Sequence, residues 1–370
     1  MTDPISNLIP SRIRQDIVSM HAYAIQDSVG MVKLDAMENP HRLPADLQQQ
    51  LGERLGKLAL NRYPDGRVND LRTALAAYAD MPAGYDIMLG NGSDELISLL
   101  ALACDVPGAT ILAPLPGFVM YAMSAQLQGL QFVGVDLTAD FELDLPAMLA
   151  AIAQHKPAIT YLAYPNNPTA NLWDDTAIAQ IIAAVGEIGG LVVLDEAYQP
   201  FSSKTYLDTI RANPAAHAHV LLMRTLSKFG LAGVRMGYMM GPKALIAEID
   251  KVRPPYNISV LNYECALFAL EYKEVFSAQA SELIAQRAML FDALSGIPKV
   301  KAFKSDANMM LLRVQGGNEQ AAKTFEGMKA KGVLVKNVSK MHPRLSGCLR
   351  LTVGTAEENA TMVAAIKASI

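Results

Sequence analysis

Short apolar runs alternate with longer helical patterns between about residues 89 and 241 of this chain. Each run ends in a turn rich in Gly, Pro, Asn or Ser, and a segment with helical periodicity follows. Four runs are too apolar to leave one face in water: 109–113 (ATILA), 158–163 (AITYLA), 191–194 (LVVL) and 220–223 (VLLM). Strands of this kind are covered by helices on both faces, so the pattern predicts an α/β fold with a mostly parallel sheet.

A second pattern begins near residue 253. A proline pair in RPPY precedes one long helix predicted over residues 261–288, and strand-like runs follow at 309–314, 332–338 and 348–354. This indicates a smaller α+β domain of residues 1–45 and 255–370 beside a larger domain of residues 46–254. The first forty or so residues lack a core of their own, so we expect them to pack on the smaller domain or on a partner chain.

The composition and net charge of the chain exclude or disfavour several classes of protein. Hydrophobic residues make up 51% of the 370 positions and charged residues 18%, which is typical of a folded globular protein and excludes a disordered one. The net charge of −4 carries no basic block, so nucleic-acid binding is disfavoured. No segment reads as a targeting leader or as a membrane span, so we expect a cytoplasmic protein without membrane contact.

Three widely spaced cysteines, Cys104, Cys265 and Cys348, fit neither a disulfide framework nor a CxxC motif. They predict free core thiols in a reducing compartment. No spacing of His, Cys, Asp and Glu suggests a metal site.

Lys228 follows the VLLM run directly, in the segment RTLSKFGLAGVRMG. Ligands of open α/β sheets bind at the carboxyl ends of the strands. A lysine held there against apolar surroundings would have a lowered pKa and can form an imine with an aldehyde cofactor. Taken alone, the same residue fits a surface lysine that opens a helix.

Two neighbouring features suggest a seat for a phosphate dianion. Thr225 and Ser227 offer hydroxyl groups, and Arg235 offers a guanidinium. Upstream, GNGSDE opens a helix, with Ser93 the expected N-cap, and the first N–H groups of such a helix bind anions. Simple helix capping explains that segment equally well, and the third glycine of a dinucleotide fingerprint is missing.

Acidic and amide side chains follow two other runs. Asp195 stands at the end of LVVL, where a carboxylate is poorly tolerated without a partner. A protonated pyridine nitrogen is such a partner, and Tyr198 can hydrogen-bond the oxygen of the same ring. The turn YPNNPTA after AITYLA presents two asparagines. A helix N-cap or a Walker-B-like acid is the alternative for Asp195, although no P-loop motif accompanies it.

Together these motifs resemble those of fold-type I pyridoxal-phosphate aminotransferases. The ordered set is GSDE, PxxxFxMY, PNNPTx, DEAY, TLSKxxxxxxR and LSGCLRLTVGT, and the likeness extends from Tyr23 to about Glu358. The last motif is similar to that of the histidinol-phosphate branch. The family implies a large domain built on a mostly parallel seven-stranded sheet and a smaller α+β domain.

The resemblance implies a role for each matching residue. Lys228 would bind the cofactor covalently and move the proton between substrate and cofactor, while Asp195 would pair with the ring nitrogen. Asn167 and Tyr198 would bind the ring oxygen, and Phe118 would stack on the ring. The phosphate would be held by the backbone of Gly92, Ser93 and Asp94, together with Thr225, Ser227 and Arg235.

Further roles implied by the resemblance concern the substrate and a second subunit. Tyr63 in NRYPDG would reach the cofactor phosphate of the neighbouring subunit, which implies a homodimer with shared sites. Tyr23, Lys336 and Arg350 would bind substrate, with Arg350 accepting its carboxylate or phosphate. Lys336 stands where the family pattern has Arg, and an ammonium cannot grip phosphate bidentately.

Two other departures from the family pattern concern the backbone. Ala170 stands where glycine is usual, which matters if that position needs a positive φ. The stretch from Lys228 to Arg235 is one residue shorter than is common.

The expected reaction is an exchange of the amino group between L-histidinol phosphate and 2-oxoglutarate, a step of histidine biosynthesis. An aromatic amino acid aminotransferase, or a decarboxylase or lyase on the same scaffold, is the alternative, since fold does not fix function. A non-catalytic binding module is a third hypothesis. The presence of Lys228 and the lack of a helix-turn-helix segment before residue 40 disfavour it.

Overall fold

The computed structural model describes residues 4–20 and 26–370. The strands of this part of the chain are β1 (Val32–Lys33), β2 (Tyr85–Asn91), β3 (Thr110–Leu115), β4 (Gln131–Asp136), β5 (Ile159–Ala163), β6 (Leu191–Asp195), β7 (Val220–Thr225), β8 (Met236–Pro242), β9 (Val300–Ala302), β10 (Met309–Val314), β11 (Val333–Leu334), β12 (Lys336–Asn337) and β13 (Cys348–Thr352). The helices are α1 (Pro4–Arg12), α2 (Gln15–Val18), α3 (Ala45–Leu55), α4 (Arg67–Ala79), α5 (Ser93–Ala103), α6 (Val119–Gln128), α7 (Leu145–His155), α8 (Asp175–Glu187), α9 (Leu207–Ala212), α10 (Lys243–Ile249), α11 (Val260–Glu271), α12 (Lys273–Ser295), α13 (Gly317–Ala330) and α14 (Ala356–Lys367).

A seven-stranded sheet in the order β2-β8-β7-β6-β5-β3-β4 is the frame of the molecule. Its strands pair in parallel except β8, which is antiparallel to both of its neighbours. The four predicted apolar runs are β3, β5, β6 and β7, so the prediction of a mostly parallel α/β sheet is confirmed. The parallel pairing brings the carboxyl ends of these four strands to one edge.

Successive residues of each central strand enter different cores because strand side chains alternate between the two faces. Val192 and Leu194 of β6 belong to the larger apolar cluster, with helices α7 and α8. Val193 belongs to the other cluster, which contains the apolar face of α5. Burial on both faces is why these segments read as continuous apolar runs.

A second, smaller unit is built on a four-stranded antiparallel sheet in the order β12-β13-β10-β9. Helices α12, α13 and α14 pack around its apolar core. The N-terminal segment joins this unit, since β1 pairs in parallel with β11 and Leu34 lies buried in its core. Residues 32–34 thus pack on the smaller unit, whereas Arg14 donates hydrogen bonds to the carbonyls of Gln126 and Leu127 at the end of α6. The division of the chain at residues 46 and 254 stays a prediction.

Three local predictions need correction. The long helix predicted over residues 261–288 is two helices, α11 and α12, because Tyr272 leaves the helical conformation at φ −107° and ψ 29°. The run at 332–338 forms two short strands, β11 and β12. Cys104, Cys265 and Cys348 are free thiols, but only Cys348 is buried in the core, and the other two are partly exposed.

Candidate active site

The carboxyl edge of the large sheet borders a pocket that gathers most of the predicted site residues. The residues that line it come from the ends of β5, β6 and β7, from the starts of α5 and α6, and from the segment after β1. They are Met37, Ser93, Asp94, Phe118, Tyr121, Ala163, Pro165, Asn167, Asp195, Ala197, Tyr198, Thr225, Ser227, Lys228 and Arg235.

Lys228 extends from the turn after β7 into this pocket. Its Nζ donates a hydrogen bond to the carbonyl oxygen of Ala36 over 2.9 Å. Burial, reinforced by the positive charge of Arg350, lowers the pKa of the amine to about 8. A neutral, nucleophilic amine is therefore accessible at mildly alkaline pH.

Asp195 is 4% exposed at the end of β6. Its Oδ2 accepts a hydrogen bond from the Tyr121 hydroxyl at 2.6 Å, and its Oδ1 accepts one from the backbone N–H of Ala197 at 3.0 Å. Burial raises the pKa of the carboxyl to about 6, because a charge in this position is poorly solvated. The carboxylate can be stabilised further by a positively charged partner in the pocket.

Tyr121 is a site residue that sequence reasoning missed. Its ring lies parallel to that of Tyr161, with centroids 4.3 Å apart, so the hydroxyl is held in place against Asp195. The available signal was its spacing from Phe118: the two residues lie three positions apart at the start of α6 and face the same side.

Asn167, Tyr198 and Arg350 form one hydrogen-bonded chain. The amide of Asn167 donates to the Tyr198 hydroxyl over 3.0 Å, and its oxygen accepts from Nη1 of Arg350 over 2.8 Å. The other guanidinium nitrogen, Nη2, donates to the carbonyl of Asp35 over 2.9 Å. Burial raises the pKa of the Tyr198 hydroxyl, so it stays protonated and can donate. The chain links the large sheet to β13.

At the predicted phosphate site, the backbone of β8 lies unusually close to the backbone at the start of α5. A Cβ at Gly237 would lie 2.6 Å from the backbone nitrogen of Ser93, so only glycine lets β8 pass under the start of α5. The expected N-cap was wrong: Gly92 caps this helix with φ 83°, a conformation that favours glycine, and Ser93 is its first residue. The first N–H groups of α5 therefore face the pocket without a side-chain cap.

Arg235 closes this seat. Its backbone is left-handed, with φ 55°, and its Nη2 donates to Asp94 over 3.2 Å. A Cβ at Gly92 would lie 2.5 Å from the same nitrogen, so the guanidinium lies directly against the helix start. The hydroxyls of Thr225 and Ser227 hydrogen-bond each other at 3.0 Å beside it.

Two predicted residues, Tyr63 and Lys336, are not among those that line this pocket. Tyr63 is 77% exposed and stacks on Tyr256, with ring centroids 4.5 Å apart, so it does not enter the pocket of its own chain. Lys336 lies on β12 directly opposite Arg350 in the strand register. Tyr23 lies outside the described residues. Ala170 has φ 65°, so the turn adopts a positive φ even with alanine in place of glycine.

The donor set fits pyridoxal phosphate. The helix start, the two hydroxyls and Arg235 supply donors for a phosphate dianion. Asp195 supplies a buried carboxyl group that could pair with a protonated ring nitrogen, and Phe118 lines the same pocket. No cluster of His, Cys, Asp and Glu in residues 4–20 and 26–370 has the arrangement of a metal site. Nor does any helix of that part have the length and apolarity needed to cross a membrane.

Comparison with known proteins agrees with this chemistry. A family model described as aminotransferase class I and II matches residues 29–366. Histidinol-phosphate aminotransferase of Polaromonas naphthalenivorans is 74% identical over the whole of both chains. The structure of histidinol-phosphate aminotransferase from Sinorhizobium meliloti, in complex with pyridoxal-5'-phosphate, matches with a TM-score of 0.83 at 22% identity, over 96% of this chain and 97% of that one. The structure of L-threonine-O-3-phosphate decarboxylase from Porphyromonas gingivalis matches with a TM-score of 0.76 at 21% identity, over 91% of this chain and 98% of that one.

The two structural likenesses establish the fold and leave the reaction open, because one protein is a transferase and the other a decarboxylase. The family model covers most of the chain, and the high-identity relative covers all of it. The chain belongs to the class I and class II aminotransferase family.

Proposed function

We propose that this chain transfers the amino group between L-histidinol phosphate and 2-oxoglutarate, with pyridoxal phosphate as cofactor. The observation that carries the proposal is the hydrogen-bonded chain from Tyr198 through Asn167 to Arg350. In this chain only the side chain of Asn167 lies between Tyr198, which lines the pocket, and the Arg350 guanidinium, which can bind an anion. The 74% identical relative that bears the name of this activity supports the choice of substrate.

Bound pyridoxal phosphate supplies an electron-withdrawing ring that accepts the electron pair released at the substrate α-carbon. Asp195 would pair with the protonated ring nitrogen and so keep that ring electron-poor. Asn167 and Tyr198 would donate to the ring oxygen, and Phe118 would pack against the ring. The start of α5, with Thr225, Ser227 and Arg235, would hold the phosphate.

Lys228 would attach the cofactor and then act as general base and acid. Its lowered pKa, about 8, would leave the amine neutral near that pH, so that it could accept the proton from the substrate α-carbon and later give it up. Arg350 holds the anionic group of the substrate, the phosphate of histidinol phosphate or a carboxylate of glutamate. Both substrates then share one anion site in the two halves of the reaction.

The pH dependence of cofactor uptake tests the role of Lys228. Only the neutral amine attacks an aldehyde, so the rate at which the apoenzyme takes up pyridoxal phosphate should rise with pH up to about 8 and then level off. Stopped-flow absorbance measured from about pH 6 to about pH 11.5, a range that brackets both the shifted and the ordinary lysine pKa, checks this. A rate that keeps rising to the top of that range would show an unperturbed lysine and contradict the assignment.

Replacing Arg350 by alanine tests the substrate. We expect kcat/KM for histidinol phosphate to fall about 100-fold or more, since the lost charged hydrogen bonds amount to about 3 kcal/mol. Lysine at this position should recover only part of the loss, because it cannot bind bidentately. Arg211→Ala, which removes a guanidinium paired with Asp80 and Asp208, is the control. Unchanged kinetics in Arg350→Ala would refute the substrate contact.

The choice of amino donor is tested by the cofactor spectrum. Histidinol phosphate and glutamate should each convert the enzyme to its pyridoxamine form. Phenylalanine and tyrosine should do so much more slowly. If the aromatic amino acids react as fast as histidinol phosphate, the enzyme is an aromatic aminotransferase instead. Release of carbon dioxide from glutamate, phenylalanine or tyrosine would favour the decarboxylase alternative.

We also propose that the enzyme works as a homodimer in the cytoplasm. The exposed pair of Tyr63 and Tyr256 supports the dimer, since Tyr63 does not line the pocket of its own chain and its exposed ring is available to a second copy. The free cysteines Cys104, Cys265 and Cys348 support a reducing compartment. Sedimentation equilibrium measures the dimer, and mixing Tyr63→Phe with Lys228→Ala subunits tests whether the sites are shared.

A further inference from the structure

The segment Asp35–Met37, which we call the strap, touches both cationic groups of the site with its backbone. The carbonyl of Ala36 accepts the hydrogen bond from Lys228 Nζ at 2.9 Å. The carbonyl of Asp35 accepts the one from Arg350 Nη2, also at 2.9 Å. Two consecutive backbone carbonyls therefore bind Lys228, the proposed attachment point of the cofactor, and Arg350, the proposed binding group for the substrate anion.

The strap has a conformation that needs outside support. Met37 has φ 53°, in the left-handed region, which costs a residue other than glycine about 1–2 kcal/mol. Such a conformation persists only where the surroundings hold it. Two buried side chains do so: Thr352 Oγ1 accepts from the Met37 N–H at 2.9 Å, and Asn308 Nδ2 donates to the Met37 carbonyl at 2.9 Å.

The two supporting residues are themselves fixed to the smaller sheet. Thr352 is 3% exposed on β13 and Asn308 is 1% exposed just before β10. The Thr352 N–H donates to the carbonyl of Leu34 at 3.0 Å, so the same residue clamps both ends of the strap. The strap is thus hydrogen-bonded to the smaller sheet, while Lys228 follows a strand of the larger one.

We propose that Thr352 and Asn308 are positioning residues for the transamination, acting through the strap on Lys228 and Arg350. This inference rests on the function proposed above and deepens it. Neither side chain lines the pocket, so both act through the Asp35 and Ala36 carbonyls. Loosening the strap should disturb both cations together, because their acceptors lie on consecutive residues.

The position of the Ala36 carbonyl matters whenever the Lys228 amine is not bonded to the cofactor. A carbonyl oxygen at hydrogen-bond distance stabilises the ammonium form and orients the amine. Losing that acceptor should lower the pKa of Lys228 further and slow its proton transfer. Losing the Asp35 carbonyl frees the guanidinium to rotate, which weakens its bidentate grip on a substrate anion.

The test compares Thr352→Val, which removes one hydroxyl at nearly constant volume, with Thr160→Val. Thr160 is fully buried on β5, and its hydroxyl has no hydrogen-bond partner within the described ranges, which makes it a matched control. The readouts are the pKa of Lys228 in the apoenzyme, measured by competitive acetylation and mass spectrometry, and kcat and KM of the holoenzyme for histidinol phosphate.

In Thr352→Val we expect a lower pKa of Lys228, a reduced kcat and a raised KM, with kcat/KM down about 10-fold for one lost hydrogen bond. Thr352→Ser, which keeps the acceptor oxygen, should restore all three. Thr160→Val should stay within about twofold of wild type. If Thr352→Val does not fold, Asn308→Ala should show the same three changes.

The proposal is overturned if Thr352→Val or Asn308→Ala folds and matches Thr160→Val in all three readouts. A drop in thermal stability alone, with the pKa of Lys228 unchanged, also overturns it, because a merely structural role predicts that result. Failure of the proposed function looks different: wild-type apoenzyme would then not take up pyridoxal phosphate at Lys228, or would not convert histidinol phosphate.

Discussion

Lys228→Ala should reduce transamination by at least about 10⁴-fold and abolish covalent attachment of the cofactor, since one amine provides both the attachment point and the general base. The structure gives a physical reason why this amine is suited to the role. It is partly buried in the pocket, and this burial together with the charge of Arg350 lowers its pKa to about 8, while the Ala36 carbonyl accepts its hydrogen bond. Lys251, in contrast, is an exposed lysine that pairs with Glu248.

The measurement is the absorbance of the purified protein with added pyridoxal phosphate, together with borohydride reduction and peptide mapping. Lys251→Ala, which removes an exposed lysine paired with Glu248, should keep full colour and activity. If Lys228→Ala still yields a reduced cofactor adduct at a single lysine, that lysine carries the cofactor and the site assignment is wrong. A colourless wild-type protein would refute the proposed function as a whole.

The large sheet was predictable because burial on both faces leaves a strong local signal. The segments 158–163 and 191–194 read as uninterrupted apolar runs and form β5 and β6 with almost the same bounds. The break at Tyr272 was not predictable from periodicity, since helical patterns continue on both sides of it. The Tyr272 hydroxyl bonds Gln50, a contact between residues more than two hundred positions apart.

The candidate site also contains some residues that were predictable from the sequence and others that were not. Asn167, Asp195 and Lys228 each follow a parallel strand, so the sheet topology alone brings them to one edge. Residues that act through long-range contacts were missed. Tyr121 lies 74 positions from Asp195, and Thr352 lies 315 positions from the strap residue that it holds. Only the folded chain puts such pairs together.

The capping residue of α5 shows a limit of another kind. The sequence GNGSDE offers both Gly92 and Ser93 as caps, and side-chain preference favours serine. The structure uses Gly92, because β8 passes so close at Gly237 that the helix start must bend through a positive φ. Close backbone approach is invisible in a single sequence, since it depends on which two segments meet.

Asp195→Asn should lower kcat about 10³-fold while making the apoenzyme at least as stable as wild type. The amide side chain keeps the shape of the carboxylate, and its single oxygen can still accept one of the two hydrogen bonds, from Tyr121 or from the N–H of Ala197, but it cannot stabilise a protonated ring nitrogen. Removing one preorganised group that stabilises a developing charge typically lowers kcat by about 10²–10³-fold, which sets the size of the expected loss. Asp174→Asn, at the N-terminus of α8, tests for general effects of the substitution.

The stability gain follows from the sign of the pKa shift. Burial raises the pKa of Asp195 in the folded apoenzyme to about 6, above its value of about 3.9 in the unfolded chain. The folded state therefore binds this proton more tightly than the unfolded chain does. The resulting contribution to the free energy of unfolding is fully present below about pH 4 and is lost as the pH rises through about 6. At neutral pH the free energy of unfolding is lower by about 2–3 kcal/mol. The Asp195→Asn variant carries no such cost, so thermal unfolding of its apo form should lose this pH dependence. Adding pyridoxal phosphate should then stabilise wild type far more than the variant, because only the carboxylate gains an ionic partner. Equal stabilisation of both proteins would show that Asp195 does not face the ring nitrogen.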